Sequence, residues 1–365
     1  MSQVVPSSSP SRLTGAEIHA QLQILRESDP QLRARDLSRR LGVSEAELVA
    51  SRCGLEGEEG ALRLQPRWQD LVQALPRLGR VMCLTRNDHC VHEKHGRFDK
   101  VSVFRNQGLV LDPEIDLRIF FARWKSGFAV REQVRSGLRE SIQIFDRHGT
   151  AVHKIYLTEE TDADAWRSLI EEFRDSDQTR DLAVVPISEE PVEEPPEAFD
   201  PQELRTRWDA LQDSHEFFPL LQRFKLGRIA AFRVAGPDYA RPLNVVSFRK
   251  ALEGAAWENI PIMVFTGSPG VIQIHSGPVE NLRETGPWFN VLDKGFNLHL
   301  HQPGIASAWL VRKPSRDGIV TSLEIFDAQE RQIAWMFGAR KPGTPELQEW
   351  RQLAERLESE EALLS

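Results

Sequence analysis

Along this chain the spacing of apolar residues changes from helical to alternating, and it does so twice in the same order. Over residues 14–52 and 201–225 apolar positions recur at three- and four-residue intervals, which predicts amphipathic helices. Strict alternation then takes over in VSVF (Val101–Phe104), IDLRIFF (Ile115–Phe121), SIQIFD (Ser141–Asp146) and AVHKIYL (Ala151–Leu157). It returns in FNVL, FNLHLH, ASAWLVRK and TSLEIFD, between Phe289 and Asp327, and each of these runs predicts a strand. His148-Gly149, between two of the runs, predicts a tight hairpin. Closing helices are predicted from TDADAW and TPELQEW, each with a Thr or Asp able to cap the first turn. Strands joined by short turns pair antiparallel, so the fold class is α+β.

The second pass through this grammar is a copy of the first. At an offset of 181 positions SIQIFD falls on SLEIFD, Gly137 on Gly318, VMCLT (Val81–Thr85) on IMVFT (Ile262–Thr266), and DLRIF (Asp116–Phe120) on NLHLH (Asn297–His301). Several coincidences at one offset mark an internal duplication. Between the copies, PISEEPVEEPPEAFDPQE has too little apolar surface to bury and reads as a solvated linker. The predicted units are a first repeat over 1–185, an acidic Pro-rich linker over 186–200 and a second repeat over 201–365.

Composition narrows the function classes. With 365 residues, 40% hydrophobic and 27% charged, the chain can bury a core in each repeat. No run of 18 apolar residues exists, and MSQVVPSSSPSR has no basic stretch leading into an apolar one, so neither a membrane span nor a signal peptide is expected. Three cysteines (Cys53, Cys83, Cys90) without CxxC spacing argue against a disulfide framework or a structural zinc site, and fit a reducing cytoplasm. A net charge of -8 disfavours general nucleic-acid or anionic-membrane binding.

Phosphate-loop, GxGxxG, HExxH and GxSxG motifs are absent, so attention falls on histidines and on cations inside apolar runs. His89, His92 and His95 lie in RNDHCVHEKHGRF, whose polarity reads as a solvated loop or strand edge; ligand contact is the alternative, with His92 best placed. Arg118 interrupts an apolar strand, as His299 does in the second copy, and reads either as half of a structural ion pair or as an anion-binding residue. His215 in DSHEFFPLL falls at a helix start capped by Asp213 or Ser214. It is a surface histidine or, beside Phe217 and Phe218, the lip of a pocket, and the first copy has no histidine in that place. ARDLSRRLGVSEAELVASR (Ala34–Arg52) has the outline of a helix-turn-helix, with Leu37, Leu41 and Leu48 as core positions; helix packing is the expected use.

Taken together, ARDLSRRLGVSEAEL, RNDHCVHEKHGRF, DLRIFFARWKSGFA, SIQIFDRHGTAVHKIYLTEETDADAW, SHEFFPLL, IASAWLVRKPSRDGIVTSLEIFDAQ and FGARKPG resemble the HemS/ChuS/PhuS family of cytoplasmic haem-utilisation proteins of Gram-negative bacteria. The resemblance spans nearly the whole chain. It implies two stacked large antiparallel sheets flanked by helices, one per copy, with haem b held as ligand or substrate in a cleft of the second half. It further implies that His215 is the axial iron ligand and that Arg118 is the distal, catalytic guanidinium reaching over from the first half. Arg228, Lys313 and Arg340 resemble the cations near the haem propionates, and Phe265 an apolar wall. Phe337 stands where some relatives carry tyrosine, and His92 resembles a residue of a secondary haem site in some members. The implied activity is oxidative haem degradation that releases iron, with electrons from a partner because no flavin or nicotinamide site is present. The alternative is a trafficking chaperone that delivers haem to a separate haem oxygenase. A haem ABC importer is a further implied partner; nucleic acid and membrane insertion are not expected.

Overall fold

The protein is described by a computed structural model covering residues 12–55, 59–134, 137–187, 200–341 and 343–364. Most of the acidic linker lies outside these residues. In the first half the strands are β1 (Gly60–Arg63), β2 (Val81–Arg86), β3 (Cys90–Gly96), β4 (Val101–Phe104), β5 (Gln107–Leu111), β6 (Asp116–Phe120), β7 (Ser126–Val134), β8 (Gly137–Phe145) and β9 (Ala151–Tyr156). The second half repeats them as β10 (Ala240–Leu243), β11 (Ile262–Gly267), β12 (Val271–Gly277), β13 (Leu282–Thr285), β14 (Trp288–Asp293), β15 (Phe296–His301), β16 (Ser307–Ser315), β17 (Gly318–Phe326) and β18 (Gln332–Gly338). The duplication and the α+β class follow the sequence reading.

Two nine-stranded antiparallel sheets result, but the halves exchange strands to build them. One sheet runs β1-β7-β8-β9-β2-β3-β15-β14-β13, the other β10-β16-β17-β18-β11-β12-β6-β5-β4. Each sheet therefore takes six strands from one half and three from the other, where one sheet per copy had been expected. The junctions are β3 with β15, where Leu298 faces His92, and β12 with β6, where Arg118 faces Ile272. The border of the repeat is not the border of the sheet.

The sheets stack through the faces around these junctions. Leu117 and Ile119 of β6 pack with Val81 and Cys83 of β2, and Leu298 and Leu300 of β15 pack with Val264 and Leu323. Polar groups are also buried in this seam, which corrects the reading of RNDHCVHEKHGRF as a loop or strand edge. Cys90, His92 and Lys94 alternate inward on β3, a central strand, and His92 is fully buried. Gln273, its counterpart in the repeat, donates from Nε2 to His92 Nδ1 at 2.9 Å. Thr85 donates to Gln273 Oε1 at 2.9 Å and contacts His153 Nδ1 at 2.9 Å, while Lys94 Nζ lies 3.3 Å from His275 Nδ1. Each polar chain crosses the seam, so the segment is buried because its partners are buried with it. A haem ligand role for His92 has no surface to work from here.

Helices cover what the sheets leave. Ser247–Trp257 and Gln348–Leu364 pack on the inner face of the second sheet, and Pro201–Asp209, Phe217–Phe224 and Arg228–Ala235 on part of its outer face. Ala34–Leu41 and Glu45–Ala50 form the helix pair expected over 34–52. Its Leu37 and Leu48 pack with Ile18 and Leu22, and Gly42 makes the turn at φ 66°. Asp162 caps Ala163–Phe173 as expected. The second closing helix starts later than TPELQEW predicts, at Gln348, because the Glu346 carboxylate accepts the Thr321 backbone N–H (2.9 and 3.1 Å) and ties that segment to β17.

Candidate ligand-binding cleft

Strand pairing places most of the candidate residues on one face of the second sheet. Side chains alternate across a strand, and register partners share a face. Arg118 faces Ile272, Ile274 faces Phe265, Phe265 faces Trp335, Met263 faces Phe337, and Phe337 faces Ser322. Glu324 lies two residues beyond Ser322 on the same face. Phe265, Phe337 and Trp335 form an aromatic floor. Phe265 stacks on Trp335 (5.3 Å between centroids, 18° between planes) and meets Phe337 edge-on at 5.3 Å. Two strand spacings, about 10 Å, separate Phe265 from β6 and Arg118, and three separate Phe337 and Trp335 from them.

His215 is supplied by the helical layer over the neighbouring strands. Asp213 caps the turn Ser214–Glu216: its carboxylate accepts the His215 backbone N–H at 2.8 Å, and Glu216 reaches back to the cap. The same Asp213 oxygen lies 2.6 Å from His215 Nδ1. A carboxylate can only accept there, so Nδ1 carries the proton and Nε2 presents a lone pair, the tautomer a metal-ligating imidazole uses. The His215 side chain is 85% exposed, and Nε2 has no protein partner among the described residues. Hydrogen bonding from the His215 backbone holds the Asp213 carboxyl below its usual range, with Arg340 among the smaller contributors. Phe217 turns inward against Trp208 (4.5 Å), whereas Phe218 stays 59% exposed beside the histidine.

The cations fall into two kinds. Arg118 bonds to Asp116 on its own strand, so the ion-pair reading holds in the protein alone; burial pushes the Asp116 carboxyl up against the Arg118 charge. Arg228 and Lys313, which resemble the cations near the propionates, are already paired within the protein. Both are held by Glu324, a fully buried carboxylate: Arg228 Nη1 donates to Oε2 at 2.8 Å and Lys313 Nζ to Oε1 at 2.6 Å. Burial alone would raise the Glu324 carboxyl. The two cations, with hydrogen bonds from Lys313 and Ser322, instead hold it at about 2. Arg340 follows β18, and its buried Nη1 has no hydrogen-bond partner among the described residues.

Strand exchange also sets the place of two histidines of the second half. His299 and His301 belong to the second half by sequence, but β15 lies in the first sheet, so neither joins His215. His299 Nδ1 instead meets Asn290 Oδ1 at 2.7 Å. Sequence reasoning missed Trp335 and Glu324. The signal for Glu324 was a carboxylate inside the apolar alternation of TSLEIFD, which requires a buried cation.

An imidazole whose Nε2 has no partner among the described residues, an aromatic floor, an arginine from the opposite half and paired cations are groups whose chemistry suits a planar, anionic, metal-containing ligand. The comparisons agree with that class. Residues 42–173 and 225–357 each match the family described as the haemin-degrading HemS/ChuX domain, and the chain belongs to that family. It is 39% identical to the hemin transport protein HmuS of Yersinia pestis over 94% of this chain and 97% of the relative. The fold is that of the haem-binding protein PhuS of Pseudomonas aeruginosa in its haem-bound form (47% identity, TM-score 0.89, 94% and 99% of the two chains). The haem-degrading enzyme ChuS of Escherichia coli O157:H7 is likewise similar (34% identity, TM-score 0.87, 94% and 99%).

Proposed function

We propose that this chain binds haem b in the cleft, with His215 Nε2 on the iron and Arg118 on the opposite side of the ring. The observation that carries this reading is the His215–Asp213 contact, which leaves an exposed, correctly protonated imidazole. The residues fit the group in other respects too. Phe265 and Phe337 offer flat apolar contact, and the unpartnered Arg340 Nη1 and the outer edge of Arg228 offer donors to carboxylates. Arg118 must turn from Asp116 to act over the ring, where its permanent charge would stabilise negative charge developing on bound oxygen.

The reading extends to oxidative opening of the porphyrin with release of iron in the cytoplasm, using an external reductant. Hand-over of haem to a separate haem oxygenase is the second reading. It is favoured by the openness of the site, where His215 and Phe218 are exposed and Leu109 and Leu111, on the Arg118 face, stay partly exposed. Haem would be loaded anaerobically, then reductant and oxygen supplied with catalase present, and the products identified. Ring-opened tetrapyrrole and free iron support degradation. Intact haem throughout, with transfer to an added haem oxygenase, supports hand-over.

A further inference from the structure

Glu324 is the most heavily bonded carboxylate in the cleft. Oε1 accepts from Lys313 Nζ (2.6 Å) and Ser322 Oγ (2.8 Å), and Oε2 from Arg228 Nη1 (2.8 Å) and Gln332 Nε2 (2.9 Å). Four donors saturate a carboxylate, so it has no capacity left for a ligand. Its two cations differ in access. The Lys313 side chain is 4% exposed and lies over the rings of Phe217 (4.8 Å) and Phe337 (6.0 Å), whereas Arg228 is 26% exposed with one guanidinium nitrogen committed to Glu324. The three groups together carry one net positive charge.

The first half builds its buried carboxylate trio from other residues, Glu45 with Arg86 and Lys154, and not at the positions equivalent to Glu324 and Lys313. At the repeat offset Glu324 corresponds to Gln143 and Lys313 to Glu132, and Gln143 bonds only sideways, to Ser141 Oγ at 3.0 Å. Pairing confirms the equivalence: Gln143 faces Lys154 as Glu324 faces Trp335. The Glu324 trio therefore has no residue-by-residue counterpart in the first copy, and it costs the burial of Lys313 and Glu324.

We propose that Glu324 is a positioning residue for ligand carboxylates: it clamps one edge of the Arg228 guanidinium so that the other edge meets a ring carboxylate, with Lys313 as buried counter-charge. The proposal rests on the haem reading and deepens it, since the carboxylates would be the haem propionates. A guanidinium is a rigid fork that can hold two carboxylates at once, which a lysine ammonium cannot do with the same geometry.

The test compares the full-length protein's affinity for haemin and for haemin dimethyl ester, whose carboxylates are masked. Wild type should prefer haemin by about tenfold or more, the value of a charge-assisted hydrogen bond. If only charge mattered, Glu324→Gln, which adds a positive charge, would increase that preference, and Glu324→Gln with Lys313→Met, which keeps the net charge, would leave it unchanged. Positioning requires both to lower it toward unity. Arg228→Lys keeps the charge at a partly exposed site, and it should lose the preference as fully as Arg228→Gln. A wild-type preference retained in Arg228→Lys, or retained or increased in the folded double variant, overturns the proposal. Failure of wild type to bind haemin would instead overturn the haem reading itself.

Discussion

Arg118 in β6 stands opposite Ile272 in β12, and that pairing joins strands from the two halves of the chain. The proposed site is thereby a joint product: His215, Phe265 and Phe337 come from the second repeat, and Arg118 shares the face of Phe265 and Phe337 only because β4–β6 were exchanged into their sheet.

That arrangement changes what an isolated half should do. The segment from residue 200 onward keeps β10–β18 but loses the strands that pair with β12, which leaves Ile272, Gln273 and Ile274 on an open edge. Size-exclusion chromatography with light scattering should show it self-associated rather than monomeric. A stable monomer with the haem affinity of the full chain would contradict the exchange as a requirement.

Arg118→Ala should leave haem bound through His215 while altering the side of the ring away from it. The pH dependence of the ferric absorption spectrum should shift between pH 6 and 9, and any oxygen-dependent turnover should slow. If spectrum and turnover match wild type across that range, Arg118 serves only its ion pair with Asp116.

Asp213→Asn tests the orientation of the ligand histidine. An amide can still accept the His215 backbone N–H, but it binds the imidazole Nδ1–H more weakly than a carboxylate does. Loss of such an orienting partner costs roughly 10–100-fold in metal affinity. Haem affinity should fall within that range with the circular dichroism spectrum unchanged; full affinity in the variant would count against the contact.

The seam between the sheets predicts acid sensitivity. Burial holds His153 and His275 at about 3 and drives His92 well below its ordinary value, with Lys94 and His275 adding repulsion. The charged and polar groups around them are Lys94, Thr85 and Gln273. Each histidine's folded value lies below the unfolded one near 6.5, so the unfolded state takes up protons first. The stability these groups contribute is complete above about pH 6.5 and is lost as pH falls toward 3. Urea midpoints should decline over that window, and His153→Gln should flatten the decline. An unchanged slope in the variant would remove His153 as a source.

Much of this was legible in the sequence because alternation and the 181-residue offset are properties of a strand whatever sheet it joins. Strand exchange was not legible for the same reason. DLRIF and NLHLH carry the same pattern, so nothing in either run says which sheet receives it. His92 and Lys94 looked solvated because their burial depends on Gln273 and His275, 181 residues away in each case. His215 was visible from its cap, Asp213, a local signal. Glu324 escaped because its importance lies in what three strands and a helix bring to it.

The central claim is that haem sits in this cleft on His215. Titration of wild type and His215→Ala with haemin, followed by absorption spectroscopy, tests it most directly. Wild type should saturate near one equivalent with an imidazole-type Soret band, and the variant should lose most of that band. A His215→Ala spectrum and stoichiometry identical to wild type would contradict the account.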